Sequence, residues 1–386
     1  MQFREPIAIV GIAGIFPGAL ELETFWKNIA NSICSAKEIP ASRWALPVEN
    51  IYSKGSIQPD KAYSYKGCVI EDDFSCSLEK LGISPMYWES LDPLYKLSLV
   101  VGMKAFSDVV GEMPSKERIG VILGNIALPT EKSSAISWEI LGRTYSEKAG
   151  VKFISENTNL ANRYVTGLPA GLLAKVLQLG GGTFTLDAAC ASSLYAIQLA
   201  AQELLHGRMD AVISGGISRP DCLYTQMGFS QLHALAPEGL CAPFDHKQSG
   251  LVIGEGAGMF ILKRLSDAIK QKDRIYATIK AIGLSNDRGG ELLAPAVEGQ
   301  IRAMQEAYQN AGWTPGDVDL VECHATGTPV GDAVELESLK KLWEGQKSTQ
   351  GQCVIGSVKS NIGHALTAAG AAGPGSARSS PRWPEP

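Results

Sequence analysis

The sequence has no apolar run long enough to cross a membrane: its longest stretch of that kind, Tyr164 to Leu179, is interrupted by Pro169 and Lys175. No membrane span is expected. Blocks of like charge are also missing. Lys and Arg number 35 against 40 Asp and Glu, a net charge of −5 with the signs interspersed. That leaves no electrostatic footprint for nucleic acid or an anionic membrane surface, so neither is an expected partner. The eight cysteines, at 34, 68, 76, 190, 222, 241, 323 and 353, form no C-x-x-C pair and have no His at ligand spacing. Neither a disulfide framework nor a metal site is expected, and the thiols should be reduced. "GEGAG" at 254–258 lacks the spacing and flanks of a dinucleotide loop, and no Walker lysine motif is present. The opening "MQFREPIAIVGIAGIFPG" has Glu5 and Pro6 ahead of its apolar run, unlike a signal peptide, so a cytoplasmic location is the expectation.

What is present is a chain of 386 residues, 45% hydrophobic and 19% charged, enough to bury a sizeable core. Short β-rich runs alternate with longer helical ones, which predicts a mostly parallel sheet covered by helices. Strands are expected near Ile7–Val10, Ile119–Leu123, Thr183–Leu186, Ala211–Ser214, Met259–Leu262, Ala277–Ala281, Leu320–Cys323 and Val354–Ser357. Helices are expected over Leu22–Ile29, Pro93–Val110, Ser192–Leu205, Glu298–Ala311, Val334–Leu342 and Ile362–Ala372. Residues 35–75 and 218–250, rich in Pro, Ser, Asp and Gly, suit long loops. The strand, turn and helix around Cys190 have a later counterpart in "VIGSVKSNIGHALTAAG", 354–370. Two similar halves related by an approximate two-fold would bring Cys190 and His364 together.

"DAACASSLYA", 187–196, places Cys190 at a strand-to-helix turn, where free helix N–H groups and the helix dipole favour a thiolate. The small residues around it (Ala188, Ala189, Ala191, Ser192, Ser193) let a substrate approach. A buried cysteine serving as a small hydrophobe fits the same local pattern. Of the five histidines, His324 in "VECHATGTPVGD" and His364 in "SVKSNIGHALTAAG" follow β-like runs in polar, Gly-rich turns. A thiolate and two imidazoles suit acyl transfer followed by charge management at a carbonyl. His206, beside Gly207 at a helix end, reads as a C-terminal dipole partner. Asp332 and Glu335 have the spacing of a capping box for the helix from Val334. Lys359 is either a solvated lysine or a buried electrostatic support. Thr326 and Thr328 are either turn residues or hydroxyl donors to a substrate arm.

Together, "LDAACASSLYAIQLA", "HATGTPVGDAVE", "KSNIGHALTAAG" and the opening "IAIVGIAGIFPG" with "FW" at 25–26 resemble the β-ketoacyl synthase (condensing enzyme) family, over residues 5 to 373. Stretches such as "SRPDCLYTQMGFSQLHAL" look most like the ketosynthase domains of iterative polyunsaturated fatty acid, heterocyst glycolipid and polyketide synthases. The resemblance implies an α/β fold, the thiolase-like α-β-α-β-α sandwich of two similar halves, usually a homodimer. Here 1–262 would be the nucleophile half, 263–373 an incomplete histidine half, and 374–386 a tail outside the family. The resemblance also implies a decarboxylative Claisen condensation. Cys190 would carry the acyl group, His324 and His364 would stabilise the enolate oxygen, and Lys359 would support them. Thr326 and Thr328 would contact the phosphopantetheine arm of an acyl carrier protein, and an acyltransferase would be among the neighbouring synthase domains. No bound cofactor or metal is implied.

Two features depart from the family pattern. Ala325 in "HATGT" stands where the family commonly has Gly, removing freedom to adopt positive φ. The helix is expected to stop at Gly373, followed by "PGSARSSPRWPEP", which matches none of the family's closing strands. A frameshift or fragment boundary there would explain it. A catalytically inactive remnant or dimerisation scaffold is then one alternative, and a cysteine-dependent thioester hydrolase another.

Overall fold

The computed structural model describes residues 3–55, 57–71, 78–149, 159–289, 294–345 and 353–377. Strand β1 (Ile7–Ile15) is buried at all nine positions, as its near-continuous apolar sequence requires of a strand covered on both faces. It belongs to a six-stranded mixed sheet with β2 (Ile119–Asn125), β3 (Thr183–Leu186), β4 (Ala211–Ser218), β5 (Gly256–Arg264) and β6 (Ala277–Ile279), in the order β3-β2-β4-β5-β1-β6. β2 runs parallel to β3 and β4, whereas the β4–β5, β5–β1 and β1–β6 pairs are antiparallel. A second, parallel pair joins β7 (Leu320–Glu322) to β8 (Val354–Gly356), with Val321 opposite Ile355. Every expected strand is present.

The helices that position the site are α1 (Leu22–Ala30), α2 (Pro93–Ser107), α3 (Glu131–Ala149), α4 (Leu168–Leu177), α5 (Ser192–Leu205), α6 (Cys222–Gln231), α7 (Val297–Ala311), α8 (Pro329–Trp343), α9 (Lys359–Ile362) and α10 (Ala369–Ala377). α2 starts at Pro93 because the Asp92 carboxylate accepts from Leu94 N at 2.8 Å and Pro93 has no N–H to leave unpaired. With α4 it covers one face of the large sheet, packing Leu97, Leu99 and Leu173 against Val121, Leu123 and Ile261. Leu97 and Leu99 are fully buried, each contributing about 1.5–3 kcal/mol. On the other face α1, α5 and α10 pack Phe25, Ile197, Leu204 and Ala371 against Ile122, Val212 and Phe260. α7 and α8 enclose a smaller core with β7, in which Cys323, Ala325 and Leu339 meet Met304 and Trp343. From α2 to α8 the layers run helix, sheet, helix, sheet, helix.

Several elements differ from expectation. The predicted helix over 362–372 is broken: α9 ends at Gly363, whose φ is 67°, and α10 starts only at Ala369. α10 then passes through Pro374 to Ala377 instead of stopping at Gly373. Residues 378–386 of the expected tail, and 72–75 of the first expected loop, lie outside the described residues. α6 occupies part of the expected loop 218–250 because Asp221 caps it through Tyr224 N at 3.0 Å. α8 begins at Pro329, five residues before Val334, with Pro at its first position.

Candidate active site

Cys190 sits in the turn between β3 and α5. Asp187 tightens that turn from one side: its carboxylate oxygens accept from Ala189 N and Ala127 N, both at 2.9 Å. Ser192 tightens it from the other, its hydroxyl accepting from Ala188 N at 2.8 Å and donating to Ala189 O at 2.7 Å. The result is a left-handed Ala189, φ 49°, costing about 1–2 kcal/mol that these four bonds sustain. The sheet beneath is stripped of side chains. A Cβ on Gly124 would lie 2.6 Å from the Ser192 backbone, and one on Gly216 would lie 2.3 Å from Thr367 O. Those two glycines let the cysteine turn and the His364 segment press onto β2 and β4.

His364 comes from the segment after α9. Its N–H donates to Val252 O at 2.7 Å and its carbonyl accepts from Gly254 N at 2.9 Å, so the residue is stitched to the 252–254 segment. Gly363 makes that approach possible. A Cβ there would fall 2.7 Å from Val252 O, and its φ is left-handed. The ring of His364 is buried, and its Nε2 lies 2.9 Å from Cys190 Sγ. His324 completes the group, its ring 5.3 Å from that of His364 and nearly perpendicular to it. The sulfur and the two imidazoles thus converge, with one donor atom from each within 4.8 Å of the others.

Two carboxylates of α8 hold the His324 loop. Glu335 accepts from His324 N and Ala325 N, both at 2.7 Å. Asp332 accepts from Thr326 N at 3.0 Å, Gly327 N at 3.2 Å and Phe244 N at 2.9 Å. This corrects the capping-box reading. Because α8 starts at Pro329, Asp332 and Glu335 lie inside the helix and bind loop N–H groups instead of capping it. Their Asp-x-x-Glu spacing was visible, but the earlier helix start was not. Ala325 is buried and is not among the residues with positive φ; Gly327, φ 80°, is the residue that uses that freedom. The Thr326 hydroxyl is buried and lies 3.0 Å from that of Thr328, which is half-buried and the more accessible of the two.

Lys359 is buried, its Nζ donating to Cys323 O at 3.2 Å. Burial pulls its pKa down, opposed by the carboxylates of Glu322 and Glu335. Burial pushes the Cys190 thiol up, although Lys359 and the turn's own backbone N–H draw it down. Burial thus works against the thiolate that the helix N-terminus favours. His324 is exposed at the mouth of the site yet ringed by protein, and desolvation and then the Lys359 charge lower its pKa to about 4. Burial, His324 and Lys359 hold His364 well below the usual imidazole range. Both rings are neutral at pH 7, each able to offer an N–H. His206, far from this cluster, places Nδ1 2.7 Å from Gln202 O at the end of α5, in keeping with a helix-end role.

A thiol facing two imidazoles, on helix-flanked sheets stacked in five layers, has a thiolase-like architecture. Residues 4–268 match the family described as beta-ketoacyl synthase, N-terminal domain, and residues 276–376 match beta-ketoacyl synthase, C-terminal domain. The chain belongs to the β-ketoacyl synthase family, whose ketosynthases are acyl-condensing transferases. It is similar to polyketide synthase PksL of Bacillus subtilis, 32% identical over 373 residues that make up 96% of this chain and 8% of that protein. Among solved structures it is similar to the PfaC keto synthase–chain length factor, with TM-score 0.89, 36% identity, and 97% of this chain aligned to 41% of that one. The ketosynthase from module 6 of the bacillaene synthase of Bacillus subtilis 168 aligns with TM-score 0.78 and 30% identity, over 96% of this chain and 60% of that one. The chain thus spans only part of each of these relatives.

Proposed function

We propose that this chain condenses an acyl group held on Cys190 with a malonyl thioester, giving a 3-oxoacyl thioester in polyketide or fatty acid synthesis. The observation that carries this reading is the 2.9 Å approach of His364 Nε2 to Cys190 Sγ with His324 alongside. In the first half-reaction the sulfur attacks the incoming thioester carbonyl. Its proton passes to the departing thiol of the phosphopantetheine arm, so His364 keeps on Nε2 the proton it needs in the second half-reaction. In the second, the malonyl group loses carbon dioxide and charge develops on its thioester oxygen. N–H groups of the neutral imidazoles of His324 and His364 accept that charge without themselves changing protonation state. The carbanion attacks the acyl-Cys190 carbonyl, the C–S bond breaks, and the released sulfur takes a proton from solvent.

Lys359 supports the site electrostatically, and Thr326 and Thr328 face the arm. An acyl carrier protein delivers both substrates, and neighbouring synthase domains such as an acyltransferase load it, in the cytoplasm. The chain works as a homodimer. β3 is an edge strand of the large sheet, with Phe184 40% exposed on it and Leu194 44% exposed on the adjoining helix, a surface suited to a second copy. The test is intact-mass spectrometry after incubation with an acyl pantetheine thioester, which should add one acyl mass to the protein and none to Cys190→Ala. No gain on the folded protein overturns the assignment of the nucleophile. His364→Ala should still take up an acyl group but fail to condense it; unimpaired condensation removes His364 from the mechanism.

A further inference from the structure

Spacing along the sequence argued against a metal site, yet the fold gathers one thiol and two imidazoles with donor atoms within 4.8 Å of one another. We propose that Cys190, His324 and His364 form a reversible site for a thiophilic divalent cation of the Zn²⁺ type, whose binding blocks the thiol. Tetrahedral zinc takes Zn–S near 2.3 Å and Zn–N near 2.0–2.1 Å, which sets sulfur and nitrogen ligands about 3.5 Å apart. The Sγ–Nε2 separation of 2.9 Å must open by roughly 0.6 Å to admit the ion, a change within reach of a small rotation of either side chain. One sulfur and two imidazole nitrogens select zinc-like ions over magnesium or calcium, which prefer oxygen ligands. Among the described residues no carboxylate joins this donor set.

Access is graded in the right direction. His324 is exposed, Cys190 half-buried and His364 buried, so an ion enters past His324 and keeps a fourth position open towards solvent on that side. Two features make the binding reversible instead of structural. The Lys359 ammonium, close enough to act on Cys190 electrostatically, opposes a dication. His364 Nδ1 is buried with no hydrogen-bond partner among the described residues, so that ligand lacks the outer support that strong zinc sites provide. On binding, the S–H bond breaks, a sulfur–metal bond forms, and the proton leaves to the buffer with no change of oxidation state. The site needs only the observed convergence; its effect on acylation rests on the condensing reading above.

The test is a titration of the protein with Co²⁺ followed by absorbance. One equivalent should bring up a thiolate-to-cobalt charge-transfer band that Zn²⁺ removes and Mg²⁺ does not. Cys190→Ala should lose the band, and His324→Ala, altered only at an exposed side chain, should bind at least about 10-fold more weakly, since losing a ligand costs no less than losing the outer-shell partner of one. Circular dichroism melts confirm that each variant is folded. An unchanged band in Cys190→Ala, or none in the folded wild type, overturns the proposal. Acyl uptake measured separately without metal keeps the two readings apart. Cobalt bound through Cys190 in a protein that accepts no acyl group supports the metal site and overturns the condensing function. Acyl uptake at Cys190 without Cys190-dependent cobalt binding overturns the metal site alone.

Discussion

Replacing Glu335 by alanine removes the two carboxylate oxygens that hold His324 N and Ala325 N, each at 2.7 Å. A hydrogen bond to a charged group contributes about 1.5–3 kcal/mol, so the pair restrains the loop by roughly 3–6 kcal/mol before water takes its place. Water does reach this end, because His324 is exposed. Asp332 keeps its hold on Thr326 and Gly327, so the loop stays anchored beyond the missing bonds and His324 swings without unfolding the loop. A displacement of about 1 Å at a reacting group can cost on the order of 100-fold in rate. Glu335→Ala should therefore lower condensation on the order of 100-fold while acylation, which faces His364, changes by less than about threefold. Intact mass follows acyl uptake in a single turnover, and the 3-oxo product formed after adding malonyl pantetheine thioester follows condensation. An equal fall in both steps, or no fall in either, refutes the positioning role.

A Cβ at position 363 meets Val252 O at 2.7 Å on a backbone with φ 67°, so Gly363→Ala should destabilise the fold by about 1–2 kcal/mol or more and displace His364; a melting temperature and condensation rate equal to wild type would contradict this. Lys359→Met removes the charge that draws the Cys190 thiol down, so iodoacetamide should label Cys190 more slowly near pH 8; unchanged labelling would deny the coupling. His324 titrates near 4 in the folded chain against an ordinary 6.5, so between these values the unfolded state binds the proton the folded state refuses. Thermal stability should fall as the pH drops through that window, less steeply in His324→Ala, whereas condensation should show no loss centred near 6.5. Leu320 and Val354 are about 60% exposed on the two-stranded sheet, so the isolated chain should associate beyond the dimer by light scattering and Leu320→Lys should reduce it; a wild type that stays dimeric would contradict this.

The strands were legible because each buried run is short, apolar and bounded by turn residues, and Thr183–Leu186 matches to the residue. Cys190, His324 and His364 were legible as polar interruptions after such runs, and the repeated order of elements predicted the meeting of Cys190 and His364 but not of His324. The origins of α8 and α10 were not. Pro329 reads as a breaker in a local pattern but is an ordinary first residue of a helix, and misplacing that start turned Asp332 and Glu335 into cap residues. The break at Gly363 was hidden because nothing local reveals that Val252 and Gly254, more than a hundred residues earlier, seize the backbone of His364. The charge state of the thiol was not legible for a related reason. A helix terminus is visible in sequence, but the depth to which the fold sinks the thiol is not.

The pair of backbone bonds between His364 and the 252–254 segment gives the molecule a built-in gauge. The amide protons of His364 and Gly254 can exchange with solvent only when this backbone pairing parts. Their exchange rates therefore report how often the assembled site comes undone, whether or not any substrate is present. A variant that keeps both amides as slow as the central strands has left the machinery intact, and any activity it has lost belongs to the chemistry.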